Sequence, residues 1–596
     1  MCGINGILNF NQSPIQKSNL EAMNQLMLHR GPDEDGFYLN QSLGLSMRRL
    51  SVIDLATGHQ PVSNEDGTVQ IVFNGEIYNY IELRHELIAR GHKFKTNSDT
   101  EAIVHLYEEK GVKAIEHLNG VFCFALWDDA KKQLFVARDR IGVKPLFYYK
   151  TANQFAFSSE LKSLMKIAPF PKKINKQSFL MYLLFMYVPD PLSMIEGVNK
   201  LEAGHYLIFD QSGHAEKVRY WDLEKKSDFQ HLNLNQSKER LLFLLNDAVR
   251  LQLRSDVPLG IFLSGGLDSS ALVALASGMT NKPIATLSVG YEGHSVDERS
   301  FARQIAEQYH TRHHELLIRP RDVQKHFHEM IWLMDEPFSD SASVSTYLLA
   351  KLARDNGLHV VLSGAGGDEV FGGYGRYSFD WKHPAKMMHR SFSEFGRMRN
   401  SDWQFDYICS IGCGRGLGRF LSQNNFDKTR FHETFQAIMD PSAKQTGDWP
   451  TALQKKSYLD LKNYLIGDIL MLTDKMTMGA SVEARVPLLD HRLVEFMFNL
   501  PDNFKINNAE KKYLLKQAMC DKLPMSILNR PKMGFGAPVQ HWLNELFSGE
   551  SEDFNVILNG RTLDYSRLRG HHSFRQILFG LEIFKSWQKN VFNKFL

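Results

Sequence analysis

Ser264-Gly265-Gly266-Leu267-Asp268-Ser269-Ser270 follows an apolar run, Pro258 to Leu263, and precedes Ala271 to Ala276, which predicts the start of a helix. A strand, a glycine-rich turn and a helix in that order aim unpaired backbone N–H groups at an anion. The two glycines let a phosphate approach the backbone closely, and the serine hydroxyls add donors. No lysine follows the glycines, so this is not the GxxxxGK[ST] loop that grips the terminal phosphates of ATP. Asp268 would repel a bare phosphate, but it fits if it shares Mg²⁺ with that phosphate. An ordinary Gly-Gly turn between a buried strand and a helix is the alternative.

The chain beyond this loop alternates strand and helix. Pro283–Val289, His314–Ile318 and Leu358–Leu362 read as strands, and Asp297–Tyr309 and Ser343–Arg354 as helices. Such alternation predicts a mainly parallel, doubly wound sheet with its ligand past the strands' carboxyl ends. The last strand opens into a second glycine-rich loop, Ser363-Gly364-Ala365-Gly366-Gly367-Asp368-Glu369. It would bring Asp368 opposite Asp268, so that both hold Mg²⁺; the alternative is acidic residues complementing a helix dipole.

The first two hundred residues read differently. Short β-type runs (Ile71–Phe73, Val121–Trp127, Gln133–Ala137) are interleaved with helical patterns at Tyr80–Ala89 and Asp99–Glu109. The mixture predicts sheets packed face to face with helices outside. Cys2 follows the initiator Met. Removal of Met1 leaves an α-amine beside a thiol, a base with its own nucleophile, although most free cysteines are simply small buried residues. Arg49 in Arg49-Leu50-Ser51-Val52-Ile53-Asp54 suits forked pairing with a carboxylate. Asn74-Gly75-Glu76 offers an oxyanion donor and a carboxylate for an ammonium group. Asp99 suits the same amine, or a plain helix N-cap.

Between these regions, Asp222 to Lys238 is polar and aperiodic and reads as a connector, with a helix from Lys238 to Leu253 and a boundary near residue 213. The length of 596 residues asks for more than one core, which this division supplies. A net charge of +3 advertises no nucleic-acid surface, and no apolar run reaches the roughly 18 residues of a membrane span. Five cysteines, unevenly spread, suggest a reducing compartment, and the cytoplasm is the expected location. Cys409-x3-Cys413 has no second pair to complete a metal site.

The SGGLDSS loop resembles the pyrophosphate loop of the ATP pyrophosphatase superfamily. Met1-Cys2-Gly3, His29-Arg30-Gly31-Pro32-Asp33, RLSVID, Asn74-Gly75-Glu76 and Ser98-Asp99 resemble class II glutamine amidotransferases. Both in one chain, in this order, are similar to the glutamine-dependent asparagine synthetase family. The resemblance implies a four-layer αββα N-terminal-nucleophile domain over 1–213 and an ATP-pyrophosphatase domain with extra helices over 214–596.

It further implies that Cys2 attacks glutamine while Asn74 and Gly75 hold the oxyanion. Arg49 takes the α-carboxylate, Glu76 and Asp99 the α-amine, and Leu50, Ser51, Val52 and Ile53 complete that pocket. ATP would meet Leu263, Ser264, Gly265, Gly266, Asp268, Ser269, Val289, Ser363 and Gly364, with Leu263 and Val289 flanking adenine and Mg²⁺ on Asp268 and Asp368. In Glu510-Lys511-Lys512, Lys511 aligns with the family's adenylate-binding lysine and Lys512 is the neighbour that could replace it. The segments Asp474–Met478, Ser481–Asp490 and Arg530–Gly536 match stretches near the cleft. Glutamine, ATP and aspartate or another small carboxylic acid are the implied substrates, and a homodimer is entertained. Ala365 departs from the family, which carries an acidic residue where the acceptor is handled.

Overall fold

The alternation in Gly120–Asp128 sets the layering of the N-terminal region. Phe122, Phe124 and Leu126 face one side of this strand and Cys123, Ala125 and Trp127 the other, and all six are buried. A strand apolar on both faces needs cover on both. The computed structural model describes residues 2–167, 170–292, 297–378, 417, 420–421, 424, 426–439, 451–531, 555–565 and 575–595.

Twelve strands form two antiparallel sheets. They are β1 (Cys2–Asn9), β2 (Glu34–Asn40), β3 (Leu43–Arg49), β4 (Val62–Ser63), β5 (Val69–Ile77) and β6 (Gly120–Asp128), followed by β7 (Gln133–Arg138), β8 (Phe147–Lys150), β9 (Gln154–Ser158), β10 (Val198–Lys200), β11 (His205–Asp210) and β12 (Ala215–Arg219). One sheet runs β10-β8-β9-β1-β3-β2 and the other β12-β11-β7-β6-β5-β4. Between them lies a core that includes Ile4, Leu45, Met47, Val72, Ala125 and Phe157. Helices α1 (Lys17–Gln25), α2 (Tyr80–Ala89), α3 (Asp99–Lys110), α4 (Leu161–Leu164) and α5 (Lys176–Phe185) cover the outer faces. Leu83, Leu87, Ile103 and Leu106 of α2 and α3 pack on Phe122 and Phe124, while Leu20, Met23, Leu161 and Leu164 pack on Ile7 and Ala156. The order of layers is αββα, as expected. Because β12 pairs with β11, this sheet continues to Arg219.

The C-terminal region is built on five parallel strands: β13 (Leu259–Phe262), β14 (Ala285–Tyr291), β15 (Arg312–Ile318), β16 (Val360–Leu362) and β17 (Glu483–Arg485), in the order β15-β14-β13-β16-β17. Helices α6 (Leu234–Gln252), α7 (Leu267–Ser277) and α8 (Arg299–Gln308) bury residues against one face, and α9 (Pro320–Met334) and α10 (Ala342–Asp355) against the other.

Two helices begin earlier than their apolar periodicity indicates. Asn233 and Gln236 exchange side-chain and backbone hydrogen bonds as a capping box, so α6 starts at Leu234, inside the stretch read as connector. α7 starts at Leu267, which puts Asp268 in its first turn, where a carboxylate complements the helix dipole. Cys409, Cys413 and the part of the Arg530 segment from 532 to 536 lie outside the described residues.

Candidate active sites

Cys2 opens β1 opposite Arg49, the last residue of β3, and is buried. Its backbone N–H donates to Asn74 Oδ1 at 2.9 Å, and Asn74 Nδ2 faces Cys123 Sγ at 3.6 Å. The Cys2 backbone nitrogen and the Asn74 amide thus meet across the two sheets, each fixed by a strand. Gly75 has φ +155°, and a Cβ there would lie 2.1 Å from the Val121 carbonyl oxygen, so the close β5–β6 approach admits only glycine. Burial pushes the Cys2 thiol up, while Arg49 and a Leu50 backbone hydrogen bond pull it down.

Arg49 is held by acceptors on three sides. Nη1 donates to Glu34 Oε1 at 3.1 Å, and Nη2 to the carbonyls of Ile53 and Asp54 at 3.0 and 2.7 Å. The Asp33 carboxylate takes the Ser51 N–H at 2.8 Å. Leu50, Val52 and Ile53 turn their side chains into a small core with Val360 and Met478 of the C-terminal region. Their side chains pack against that region, and of the three it is the Ile53 carbonyl that reaches Arg49.

Ser98, not Asp99, caps α3, accepting the Thr100 N–H at 3.1 Å. Asp99 is left to turn back onto β5, where it takes the Ile77 N–H at 2.8 Å. Burial raises its pKa to about 6. Glu76 is buried one residue before Ile77, 3.1 Å from the Arg485 guanidinium. Burial, with Glu483 adding to it, drives Glu76 well above the usual carboxylate range.

At the carboxyl ends of β13 and β16 lies a cavity of about 680 Å³. The first loop lines it with Ser264, Gly266, Asp268 and Ser269, after Leu263; the second contributes Ser363, Gly364, Ala365 and Asp368. Gly265 instead turns against α8, with φ +70° and a Cβ position only 2.5 Å from the Ala302 nitrogen. From β14 the wall takes Leu287 and Ser288; Val289, expected there, packs into the core. Asp268 Oδ2 and Asp368 Oδ1 converge on Lys512 Nζ at 2.5 and 2.7 Å. Burial opposes the Lys512 charge, but the two aspartates hold its pKa above the ordinary lysine value. Lys511 lines the same cavity, yet Lys512, in left-handed backbone with φ 54°, is the lysine that reaches both carboxylates.

The wall near Ala365 is rich in carboxyl groups. Asp340 and Glu369 both line the cavity, and Tyr374 donates to Glu369 Oε1 at 2.6 Å. Burial and the Asp368 charge push Glu369 up to about 7, and burial likewise raises Asp340.

Segments with no role assigned from sequence join the two regions. Arg30, fully buried, donates to the Cys2 carbonyl at 3.1 Å and pairs with Asp474 at 2.8 Å. Lys475 pairs with Asp335 at 3.0 Å, and Asp335 accepts the N–H groups of Leu161 and Lys162. Arg485 Nε donates to Glu483 at 2.6 Å and Nη1 to the Gln252 and Arg254 carbonyls at 2.8 and 2.5 Å. By contrast, Asp139 caps its own loop, taking the N–H groups of Ile141, Gly142 and Val143 at 3.1, 2.7 and 3.0 Å, which is structural.

The model of the asparagine synthase family matches residues 240–578, and that of the glutamine amidotransferase domain matches residues 1–221. Together with a buried thiol at the head of an inner strand and a phosphate-type cradle on a parallel sheet, these matches define an ATP-dependent ligase that draws its nitrogen from glutamine. The chain belongs to the family of glutamine-hydrolysing asparagine synthetases.

It is 34% identical over 572 residues to asparagine synthetase (glutamine-hydrolyzing) 1 of Bacillus subtilis (strain 168), covering 92% of this chain and 88% of that protein. Asparagine synthetase (glutamine-hydrolyzing) 3 of the same organism is 31% identical, over 97% and 95% of the two chains. Amidase chry2 of Gibberella zeae is 29% identical, over 91% and 90%. Among the described residues no helix is long and apolar enough to cross a membrane.

Proposed function

We propose that this enzyme converts aspartate to asparagine with nitrogen released from glutamine, using two sites carried by two domains that join near residues 213 to 221. The observation that carries the reading is the pairing, in one chain, of Cys2 fixed beside Asn74 with a cavity where Asp268, Asp368 and Lys512 converge. With Met1 removed, the Cys2 α-amine takes the thiol proton and the sulfur attacks the amide carbon of glutamine. Asn74 and Gly75 hold the oxyanion, while Arg49 orients the α-carboxylate and Asp99 and Glu76 meet the α-amine. Ammonia leaves, and water hydrolyses the thioester to glutamate.

In the second site a carboxylate oxygen of aspartate attacks the α-phosphorus of ATP and pyrophosphate departs. Lys512, with Lys511 beside it, balances the charge that builds on the phosphate oxygens. Ammonia then attacks the adenylate carbonyl and AMP leaves. Asp268 and Asp368 already converge on one cation, so they fit Mg²⁺, which would neutralise the pyrophosphate charge when bound. Ammonia in bulk water is mostly protonated, so its passage between the sites has to be enclosed.

Ala365 favours a second reading. It lines the cavity without charge, while Asp340 and Glu369 stand in the same wall. If either carboxyl group takes over the contact to the aspartate amine, the first reading stands; if neither does, the acceptor is another small carboxylic acid, amidated by the same chemistry. Glutamine labelled with ¹⁵N on its amide, incubated with ATP, Mg²⁺ and aspartate, decides between them. Labelled asparagine matched by AMP supports the first reading. Labelled ammonia without asparagine moves the acceptor to another acid, and a set of small carboxylic acids none of which drives ATP consumption overturns both.

A further inference from the structure

We propose that Glu65, His92, His105 and Glu108 form a structural zinc site on the outer face of the N-terminal region, apart from both reaction centres. The four come from separate places: Glu65 lies between β4 and β5, His92 follows α2, and His105 and Glu108 share one face of α3. One ligand atom from each lies within 4.8 Å of all the others. His105 Nδ1 is 2.8 Å from Glu108 Oε2 and 3.4 Å from Glu65 Oε2. His92 Nδ1 is 3.4 Å from Glu65 Oε1 and 3.7 Å from Glu108 Oε2. A tetrahedral ion bound at about 2.0–2.1 Å spaces its ligand atoms by roughly 3.3 Å, inside this range.

The outer partners carry the argument further. Both rings turn Nδ1 inward and Nε2 toward a second carboxylate: His92 Nε2 is 3.2 Å from Glu109 Oε1, and His105 Nε2 is 3.5 Å from Glu101 Oε1. Metal-bound histidines pass their remaining N–H to such groups, which fixes tautomer and orientation. The inner carboxylates are fixed in the same way, Glu65 Oε1 by the Lys93 N–H at 3.0 Å and Glu108 Oε1 by the Asn64 amide at 2.8 Å.

An ion-pair cluster is the competing explanation. The carboxylates around His105 favour it, but with both rings charged it would set two cations side by side, their centroids 4.7 Å apart. One divalent cation satisfies all four groups with both rings neutral. Two imidazoles and two carboxylates suit zinc better than magnesium or calcium, which prefer oxygen alone. With four protein ligands and no open position, the role is structural. The ion would tie α3, the helix that begins with Asp99, to the β4–β5 turn.

The test uses untagged full-length protein, stripped with a chelator and titrated calorimetrically with zinc chloride. About one equivalent binds, magnesium chloride gives no heat, and cobalt substitution yields the visible bands of a tetrahedral site. Glu109→Gln, which removes only an outer partner, weakens binding about 10- to 100-fold. A His92→Ala, Glu65→Gln double variant, changed at one half-buried and one exposed position and not at the fully buried His105, abolishes it while circular dichroism stays that of the wild type. No zinc binding by folded wild type, or equal binding by the double variant, overturns the proposal.

Discussion

The Arg485 guanidinium lies 3.1 Å from the Glu76 carboxylate, joining β17 of the parallel sheet to β5 of the glutamine site. Both groups are buried, and Arg485 is further fixed by Glu483 and by the carbonyls of Gln252 and Arg254. The Glu483 pKa is held down to about 2 and the group keeps its charge, so removing Arg485 leaves a buried carboxylate without its guanidinium, at a cost of about 3–5 kcal/mol. Arg485→Ala is therefore expected to lower the unfolding midpoint and to raise the KM for glutamine through Glu76. Chemical denaturation and steady-state kinetics read the two effects separately. Unchanged stability with unchanged KM would mean that the pair does neither job.

Cys2→Ala is expected to abolish glutamine-driven synthesis and leave ammonia-driven synthesis in place. The thiol is used only in the first reaction, and alanine fills a site already closed by β3 and Asn74. Loss of both activities from a folded variant would contradict the division of labour.

Glutamine-driven turnover is expected to fall as pH drops through about 6, because Asp99 then takes a proton and loses the charge that meets an ammonium group. The fall appears in KM more than in kcat, and ammonia-driven synthesis does not share it. Asp99→Asn is expected to show the raised KM at every pH. A wild-type KM that is flat from pH 5 to 8 would remove Asp99 from α-amine recognition.

Lys512→Ala is expected to lower the synthetase reaction by about 10²- to 10³-fold, the usual loss for one group stabilising transition-state charge. Glutaminase turnover should persist. Lys511→Ala, which leaves the contacts to Asp268 and Asp368 intact, should cost far less. Pyrophosphate release measured on both variants ranks them, and the reverse order would return the role to Lys511.

Gly75→Ala is expected to destabilise the protein or move the oxyanion position. The added methyl would meet the Val121 carbonyl oxygen at 2.1 Å, and the backbone is in a region that side chains avoid. Normal stability with normal glutaminase rates would show that β5 can shift to accept it.

How much of this was legible depended on whether neighbouring residues carry the signal. β6 and α2 follow from apolar spacing within a few residues, and both phosphate-type loops follow from glycines at strand ends. The early start of α6 was missed because its signal is a polar capping box, which apolar periodicity does not register. Lys511 and Lys512 are equivalent in sequence; the left-handed backbone at Lys512 distinguishes them. The Arg30–Asp474 and Arg485–Glu76 pairs join segments far apart in the chain, so no local pattern could announce them. The Glu65, His92, His105 and Glu108 cluster escaped for the same reason, since three separate segments supply it.

The helix Arg575–Asn590 closes onto the end of α9 and onto α5: Trp587 Nε1 donates to the Asp335 carbonyl at 2.8 Å, and Tyr182 donates to the Gly580 carbonyl at 2.7 Å. Phe179 of α5 meets Phe584 with the rings tilted, their centroids 4.6 Å apart. During synthesis α5 therefore leaves the ribosome long before the helix it packs against exists. At about 5–20 residues per second that interval is on the order of a minute. For that time its apolar face is open to chaperones, and a ribosome that stalls late releases a chain whose glutamine-cleaving half still lacks one of its walls.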